Sequence, residues 1–309
     1  MVHDNLVLKN LIMNTVESFL RTISNSGTRE TYGVEINLFL KSINKSSPKE
    51  ITKQDIEGYK VTISNFKPST QARKMITIRR FISYCVEQGY IQKDLFKGIR
   101  IPKFECPEPE VLTKEEAEAM LRVPDRRTLQ GKRDYAILAL MLSTGLRKSE
   151  VCNINIGDFT TKWNSTMLNI RESKRNKSRV VKILPEVKDA IITYLKTRED
   201  ENDLSSPVFF TMGKHGKKPK RITGNAIDCI VQRCSKKALI KKRVTPHTLR
   251  HSCFTLELIG GANIKQIQIQ AGHSSIDTTQ RYLHILDNIR DNASDKNPLF
   301  KRNGGKFTL

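Results

Sequence analysis

The stretch RDYAILALMLSTGLRKSE, residues 133–150, determines how one end of a helix presents an arginine. Apolar residues crowd positions 135–142, which predicts an apolar helix over residues 133–143. Gly145 is placed to end that helix, because glycine adopts the left-handed cap conformation without strain. Arg147 follows two residues later. Its side chain is therefore expected at a fixed junction between a helix and a loop.

The bulk composition indicates two domains and a polyanionic partner. A chain of 309 residues holds two domains at roughly 150 residues each. Lys and Arg number 54 against 32 Asp and Glu, for a formal charge of +22. This favours nucleic acid over a membrane surface as the partner. No run approaches the ~18 apolar residues of a membrane span, and the N-terminus lacks the apolar run of a signal peptide. We expect a cytoplasmic protein whose six cysteines, without a CxxC pair, are reduced.

Residues 1–100 are predicted to form a helical bundle. Apolar stripes at helical spacing mark a helix that breaks at Ser26-Gly27, and Thr28 is a candidate cap for the next. Thr52 is expected to cap a third helix, residues 53–66, and Pro68 to stop it. Ser69 then starts a fourth helix running towards residue 89.

Residues 101–111 carry three prolines and no helical period, which predicts a linker between two domains. The second domain is expected over residues 112–309. Thr113, followed by acidic residues, predicts the start of its first helix.

The second domain is predicted to be α-rich with a small antiparallel sheet. Residues 167–170 and 179–184 alternate apolar with polar side chains, which indicates a β-hairpin with a basic turn. Further helices are expected over residues 185–195 and 223–238, and another is expected to open at Thr245-Pro246. The fold class is therefore mainly α.

Phosphodiester chemistry without a metal is the chemistry that the polar residues favour. A phosphate gains charge as a nucleophile adds, and preorganised donors must stabilise that charge. The sequence shows no carboxylate cluster suited to a metal pair, whereas Arg147 and Arg250 can donate forked hydrogen bonds. Arg250 lies one helical turn after His247, which places both on one face. His247 and His251 could suggest zinc, but no third ligand is evident.

Five short motifs, taken in order, resemble those of the tyrosine recombinases, the phage integrase family, and in particular Xer-like or transposon-encoded members. They are TGLRKSE at 144–150, Lys174, TPHTLRH at 245–251, GH at 272–273 and Tyr282. The resemblance implies an N-terminal, SAM-like core-binding domain and a C-terminal catalytic domain that clamp a DNA duplex. It also implies an enzyme that requires no metal, ATP or other cofactor. Such an enzyme would be a monomer in solution and would act as a homotetramer on specific DNA sites. Accessory DNA-bending proteins are further candidate partners.

The resemblance also implies roles for individual residues. Tyr282 would attack the phosphate, Arg147 and Arg250 would neutralise it, and Glu150 would orient Arg147. Further roles fall to His247, which could accept the tyrosine proton, and to His273, which would hydrogen-bond a phosphate oxygen. The leaving 5′ oxygen needs a proton, for which Lys174 is the first candidate and Lys177 the competitor.

Basic residues outside these motifs are expected to contact DNA phosphates: Arg73, Lys74, Arg79, Arg80, Arg175, Lys177, Arg179, Lys241, Lys242 and Arg243. Residues 285–309 are expected to dock onto a neighbouring subunit. Two other classes stay open at this point. A type IB topoisomerase would use the same chemistry to relax DNA, and a non-catalytic DNA-binding protein would form no covalent adduct.

Overall fold

A computed structural model of the chain describes residues 2–104, 109–171, 178–211 and 220–272, with residues 2–10 described by their backbone only. The chain divides into two compact units, Met1–Pro107 and Glu108–Leu309. The division falls inside the segment 101–111 that is predicted to be a linker.

The described part of the first unit contains four α-helices, which follow one another through short connections. They are α1 (Val2–Arg21), α2 (Ser26–Ile43), a 3₁₀ turn (Pro48–Glu50), α3 (Lys53–Thr62) and α4 (Pro68–Glu87). Phe39, Ile56, Met75 and Phe81 are fully buried at the centre of its core. The predicted helical bundle is thus present in the first unit.

Three predicted helix ends in this unit were wrong. The break predicted at Ser26-Gly27 lies inside α2, which begins at Ser26. Asn25, not Thr28, caps this helix, because its Oδ1 accepts the backbone N–H of Thr28 at 2.8 Å. Helix α3 ends at Thr62, four residues before the predicted end. Pro68 begins α4 rather than only stopping α3, since proline has no N–H to leave unpaired in a first turn.

The second unit contains seven α-helices in its described part. They are α5 (Lys114–Arg122), α6 (Leu129–Thr144), α7 (Lys148–Asn153), α8 (Pro185–Leu195), α9 (Gly224–Lys237), α10 (Pro246–Ile259) and α11 (Ile264–Ala271). Thr113 caps α5, and Thr245 caps α10 with Pro246 in the first turn. The sequence did not predict α7 or α11.

A three-stranded antiparallel sheet lies in the same unit. Its strands are β1 (Phe159–Lys162), β2 (Ser165–Ile170) and β3 (Arg179–Ile183), in that order. Ile170 pairs with Arg179 at the end where the β2–β3 connection begins. The predicted hairpin is confirmed, and β1 adds a strand that was not predicted. A second, two-stranded sheet pairs β4 (Phe210–Thr211) with β5 (Lys220–Arg221).

The mainly α fold class with small antiparallel sheets is confirmed. Helix α6 lies at the centre of the second core, where it packs against α8 and α10. None of the helices in the described ranges is both long and apolar enough to cross a membrane.

Gly145 ends α6 as predicted, in a left-handed conformation with φ of 62°. Its N–H donates to the carbonyl of Met141 at 3.0 Å. A Cβ at this position would lie 2.5 Å from the ring of Phe254. Glycine is therefore required here both for the backbone conformation and for the close approach of α10.

Candidate active site

Arg147 stands at the N-terminal boundary of α7, where Glu150 holds it in two places. The backbone N–H of Arg147 donates to Oε2 of Glu150 at 2.7 Å, and its Nη1 donates to Oε1 at 2.9 Å. The Arg147 side chain is 40% exposed, whereas that of Glu150 is 8% exposed. The buried Glu150 carboxylate thus holds the Arg147 guanidinium, while part of the Arg147 side chain remains exposed to solvent.

Arg179, at the start of β3, also binds the Glu150 carboxylate. Its Nη1 and Nη2 donate to Oε1 and Oε2 of Glu150, both at 2.8 Å. Its Nε donates to the carbonyl of Gln270, in the last turn of α11, at 2.8 Å. Only 9% of the Arg179 side chain is exposed. One buried arginine therefore joins β3, α7 and α11.

The charge of Glu150 is stabilised by this arrangement. Burial acts to raise the pKa of the Glu150 carboxyl, but hydrogen bonds and charge from Arg179, and then from Arg147, outweigh it. The net result is a pKa below the usual value. Glu150 is therefore an anion at neutral pH and keeps two cations beside each other.

Arg250 projects from α10 and is buried. Its Nη1 donates to the carbonyl of Gly145, and its Nη2 donates to that of Ala271 at 2.7 Å. Its guanidinium lies 4.9 Å from the centre of the Phe254 ring. Arg250 is thus attached to the loop that leads into Arg147 and to the last residue of α11.

His247, one turn before Arg250, lies at the exposed start of α10. Partial burial lowers its pKa first, and the positive charges of Arg250 and Arg147 lower it further. Both arginines are therefore close enough to influence the same imidazole. The His251 ring meets that of His247 edge-on, at 4.3 Å between centroids. The lowered pKa favours the neutral form of His247, which can accept a proton.

The remaining predicted catalytic residues lie outside the described part of the chain. They are Lys174, its competitor Lys177, His273 and Tyr282. The predicted DNA contact Arg175 and the predicted docking segment 285–309 also lie outside the described residues. In the described ranges no group of three His, Cys, Asp or Glu side chains could hold a metal ion.

The predicted DNA contacts of the first unit all lie on α4, and they differ in exposure. Arg79 and Arg80 are exposed, and Arg80 donates to the Tyr32 hydroxyl at 3.0 Å. Arg73 is exposed but pairs with the buried Glu35. Lys74 is buried, with its ammonium 5.4 Å from the centre of the Phe66 ring, so it does not lie on the surface where it was expected.

The predicted contacts of the second unit also divide. Lys241 and Arg243 are exposed. Lys242 pairs with Glu116 at 2.6 Å and donates to the carbonyl of Val111. Arg179, expected at the DNA surface, is buried against Glu150 instead, because it occupies the inward-facing register of β3.

Sequence reasoning missed the acceptors that hold the arginines. Two of them, the carbonyls of Gly145 and Ala271, belong to the backbone and have no side-chain signature. Arg179 did leave a signal, since it alternates with Val181 and Ile183, which both face the core. Such alternation predicts an inward side chain.

Comparison with known proteins identifies the family that the chain resembles. The model of the phage integrase family matches residues 110–288. The tyrosine recombinase XerC of Myxococcus xanthus is 32% identical over 270 residues, which cover 84% of this chain and 88% of that protein. The tyrosine recombinase XerD of Staphylococcus epidermidis is 35% identical over 218 residues, 69% of this chain and 71% of that protein.

A solved structure shares the fold. The XerH site-specific recombinase, in a post-cleavage complex with a palindromic difH substrate, superposes with a TM-score of 0.69. The match covers 87% of this chain and 79% of that one, at 22% identity. At that identity the likeness concerns the fold alone.

Proposed function

Because this chain belongs to the phage integrase family of tyrosine recombinases, we propose that Tyr282 cleaves double-stranded DNA at specific sites and that a second strand is then joined there. The observation that supports this best is that Arg250, on α10, bonds the carbonyl of Gly145, two residues before Arg147, while both arginines lower the pKa of His247. Two guanidinium groups beside an uncharged imidazole suit a phosphate that is about to receive a phenol oxygen.

The proposed cleavage step balances as follows. The Tyr282 oxygen attacks the scissile phosphorus, and its proton passes to His247. The bond from phosphorus to the 5′ oxygen breaks, which leaves a 3′-phosphotyrosine. The departing oxygen takes a proton from Lys174, or from Lys177 if that lysine occupies the position. Arg147 and Arg250, helped by His273, stabilise the charge on the other phosphate oxygens.

Rejoining reverses these steps with a different strand. A 5′ hydroxyl from the partner duplex attacks the phosphotyrosine, and the tyrosine leaves. The phosphodiester bond energy is kept in the covalent intermediate, so the reaction requires no ATP. The two arginines supply the charge stabilisation that a metal ion gives in other phosphoryl transfers, so none is required.

Assembly and cellular context are also part of the proposal. Two rounds of strand exchange through a Holliday junction require four copies of the chain, which we propose to assemble as a tetramer on DNA from monomers in solution. Residues 285–309 would dock onto a neighbouring subunit, and DNA-bending proteins could assist. The exposed Arg79, Arg80, Lys241 and Arg243 would contact phosphates. The site of action would be the cytoplasm.

The two competing classes are less well supported. The curated relatives described above are recombinases, which does not favour the type IB topoisomerase. A topoisomerase would relax a plasmid without a specific site and as a monomer. A non-catalytic DNA-binding protein would have no need of the four-bonded carboxylate that holds Arg147.

A suicide substrate tests the proposal. A labelled duplex from the DNA flanking the gene is nicked close to the expected crossover, so that the short released strand diffuses away and traps the covalent intermediate. The wild-type chain should form a protein–DNA adduct stable to denaturant, and Tyr282→Phe should form none. Tyr135→Phe, in the same domain, is the control and should form the adduct normally. An adduct in Tyr282→Phe would overturn the assignment.

A further inference from the structure

We infer that Arg179 is a positioning residue that sets the orientation of Arg147 through Glu150, rather than a ligand of the DNA backbone. This inference rests on the proposed strand-cleavage function. It distinguishes the cations that contact the DNA from the cations that position them.

The hydrogen-bond count on Glu150 is the first reason. Each of its two oxygens accepts one bond from Arg147 and one from Arg179, at distances between 2.7 and 2.9 Å. Four bonds fill the acceptor capacity of a carboxylate. The plane of the carboxylate is thereby defined by the paired donors of Arg179, and the direction of the Arg147 side chain follows from that plane.

Exposure separates the two arginines. The side chain of Arg147 is 40% exposed, and that of Arg179 is 9% exposed. A DNA phosphate can therefore reach Arg147. Arg179 would have to leave a bidentate carboxylate pair to meet one, whereas the bonds of Arg250, which is also buried, go to neutral backbone carbonyls. Removing one partner of a buried ion pair is costly, which keeps Arg179 in place.

Arg179 also connects the other catalytic segments. It is the first residue of β3, so it lies where the segment that carries Lys174 and Lys177 enters the sheet. Its Nε bonds the carbonyl of Gln270, and Arg250 bonds that of Ala271. These carbonyls belong to the last turn of α11, where helical carbonyls have no partner within the helix. Arg179 and Arg250 thus both hold the end of α11, just before His273 in the sequence.

Only arginine fits this position. Three of its nitrogens bond three acceptors on two elements, and the two bonds to Glu150 are parallel. A lysine has a single ammonium and cannot reproduce the paired bonds, although it keeps the charge. Arg179→Lys therefore separates geometry from charge.

The test uses the full-length chain and the nicked suicide duplex described above. In Arg179→Lys and Arg179→Met, the single-turnover cleavage rate at saturating DNA should fall by about 10–100-fold, the range seen when outer partners of metal ligands are removed. The dissociation constant for the DNA and its salt dependence should stay as in the wild type. A phosphate contact predicts the opposite, with weaker binding and a salt slope smaller by about 1.

Two readouts exclude a merely structural role. In Arg179→Met the buried Glu150 loses one of the two cationic partners that the described residues give it, so its pKa rises. Protonation of Glu150 then adds to the acid limb that His247 sets, and that limb should move to higher pH. In a Glu150→Gln background, Arg179→Met should reduce the cleavage rate much less than it does alone, because both changes break the same link. Additive losses would contradict the inference.

Arg198→Met is the matched control. Arg198 is as buried as Arg179, with 7% of its side chain exposed, and forms a bidentate pair with Asp200 in the same unit. Its loss should lower the melting temperature but leave the cleavage rate per folded molecule unchanged.

The outcomes are distinguishable. If the wild-type chain forms no adduct, the proposed function fails. If it forms one and Arg179→Lys cleaves equally fast, or if both Arg179 variants fail to fold, the positioning role is refuted.

Discussion

Replacing Gly145 with alanine should damage stability and catalysis together. The residue has a φ of 62°, and a left-handed conformation costs a residue with a side chain roughly 1–2 kcal/mol. The new methyl carbon would also lie 2.5 Å from Cε1 and Cζ of Phe254. Phe254 is fully buried beneath Arg250, so its ring has little room to move. Overpacking of this kind costs about 1–3 kcal/mol.

The matched control is Gly261→Ala. Gly261 lies in the same unit with a φ of +100°, and a Cβ there meets nothing within 4 Å. It therefore reports the conformational cost without the collision. We expect a loss of unfolding free energy of about 1–2 kcal/mol for Gly261→Ala and about 2–5 kcal/mol for Gly145→Ala, measured by urea denaturation.

Catalysis should distinguish the two variants further. The carbonyl of Gly145 accepts a bond from Arg250, and Arg147 follows two residues later. A shift of about 1 Å in this loop should slow cleavage of the suicide duplex about 100-fold in Gly145→Ala. Gly261→Ala should cleave at the wild-type rate. Equal stability of the two variants, with equal cleavage, would refute the reasoning.

Three further predictions concern charged groups. Arg147→Ala and Arg250→Ala should each slow single-turnover cleavage about 100-fold or more, because each removes a guanidinium that the proposed mechanism uses to stabilise the charge of the phosphate; a loss confined to DNA affinity would contradict this. The neutral form of His247 accepts the proton, and the pKa of His247 is lowered. Cleavage at subsaturating DNA should therefore persist below the usual histidine pKa and be lost as pH falls through the lowered pKa. An acid limb at or above the usual histidine pKa would contradict this prediction. Burial raises the pKa of Glu257, which bonds Gln270 at 2.7 Å, so its ionised form destabilises the fold above that pKa. Glu257→Gln should therefore raise the melting temperature at alkaline pH, and the gain should disappear at acidic pH; a gain that is the same at both would argue against it.

Elements with strong local signals could be predicted from the sequence. Helix α8 begins at Pro185 and ends at Leu195 as expected, and α10 begins behind its threonine cap. Helix α7 was missed because six residues are too few to show a periodic apolar stripe. The cap of α2 was misplaced because Asn25 and Thr28 are both residues that cap helices well.

The candidate site could be predicted only in part, for a different reason. Arg147 and Glu150 belong to the motif TGLRKSE and can be identified from the sequence. In the structure, Nη1 of Arg147 lies 2.9 Å from Oε1 of Glu150. The acceptors of Arg250 are backbone carbonyls whose positions depend on how α6, α10 and α11 pack. Arg179 is close to Lys174 and Lys177 in sequence, and only the register of β3 turns it inward.

The site of covalent attachment tests the central claim most directly. The adduct from the suicide duplex can be digested, and the peptide that carries the DNA can be identified by mass spectrometry in the wild type, Arg147→Ala and Arg250→Ala. If two guanidinium groups and one phenol act on a single phosphate, the DNA should sit on Tyr282 through a 3′ phosphate, and either arginine variant should reduce its yield at early times. DNA found on a different residue, or an undiminished early yield in both variants, would contradict the shared site.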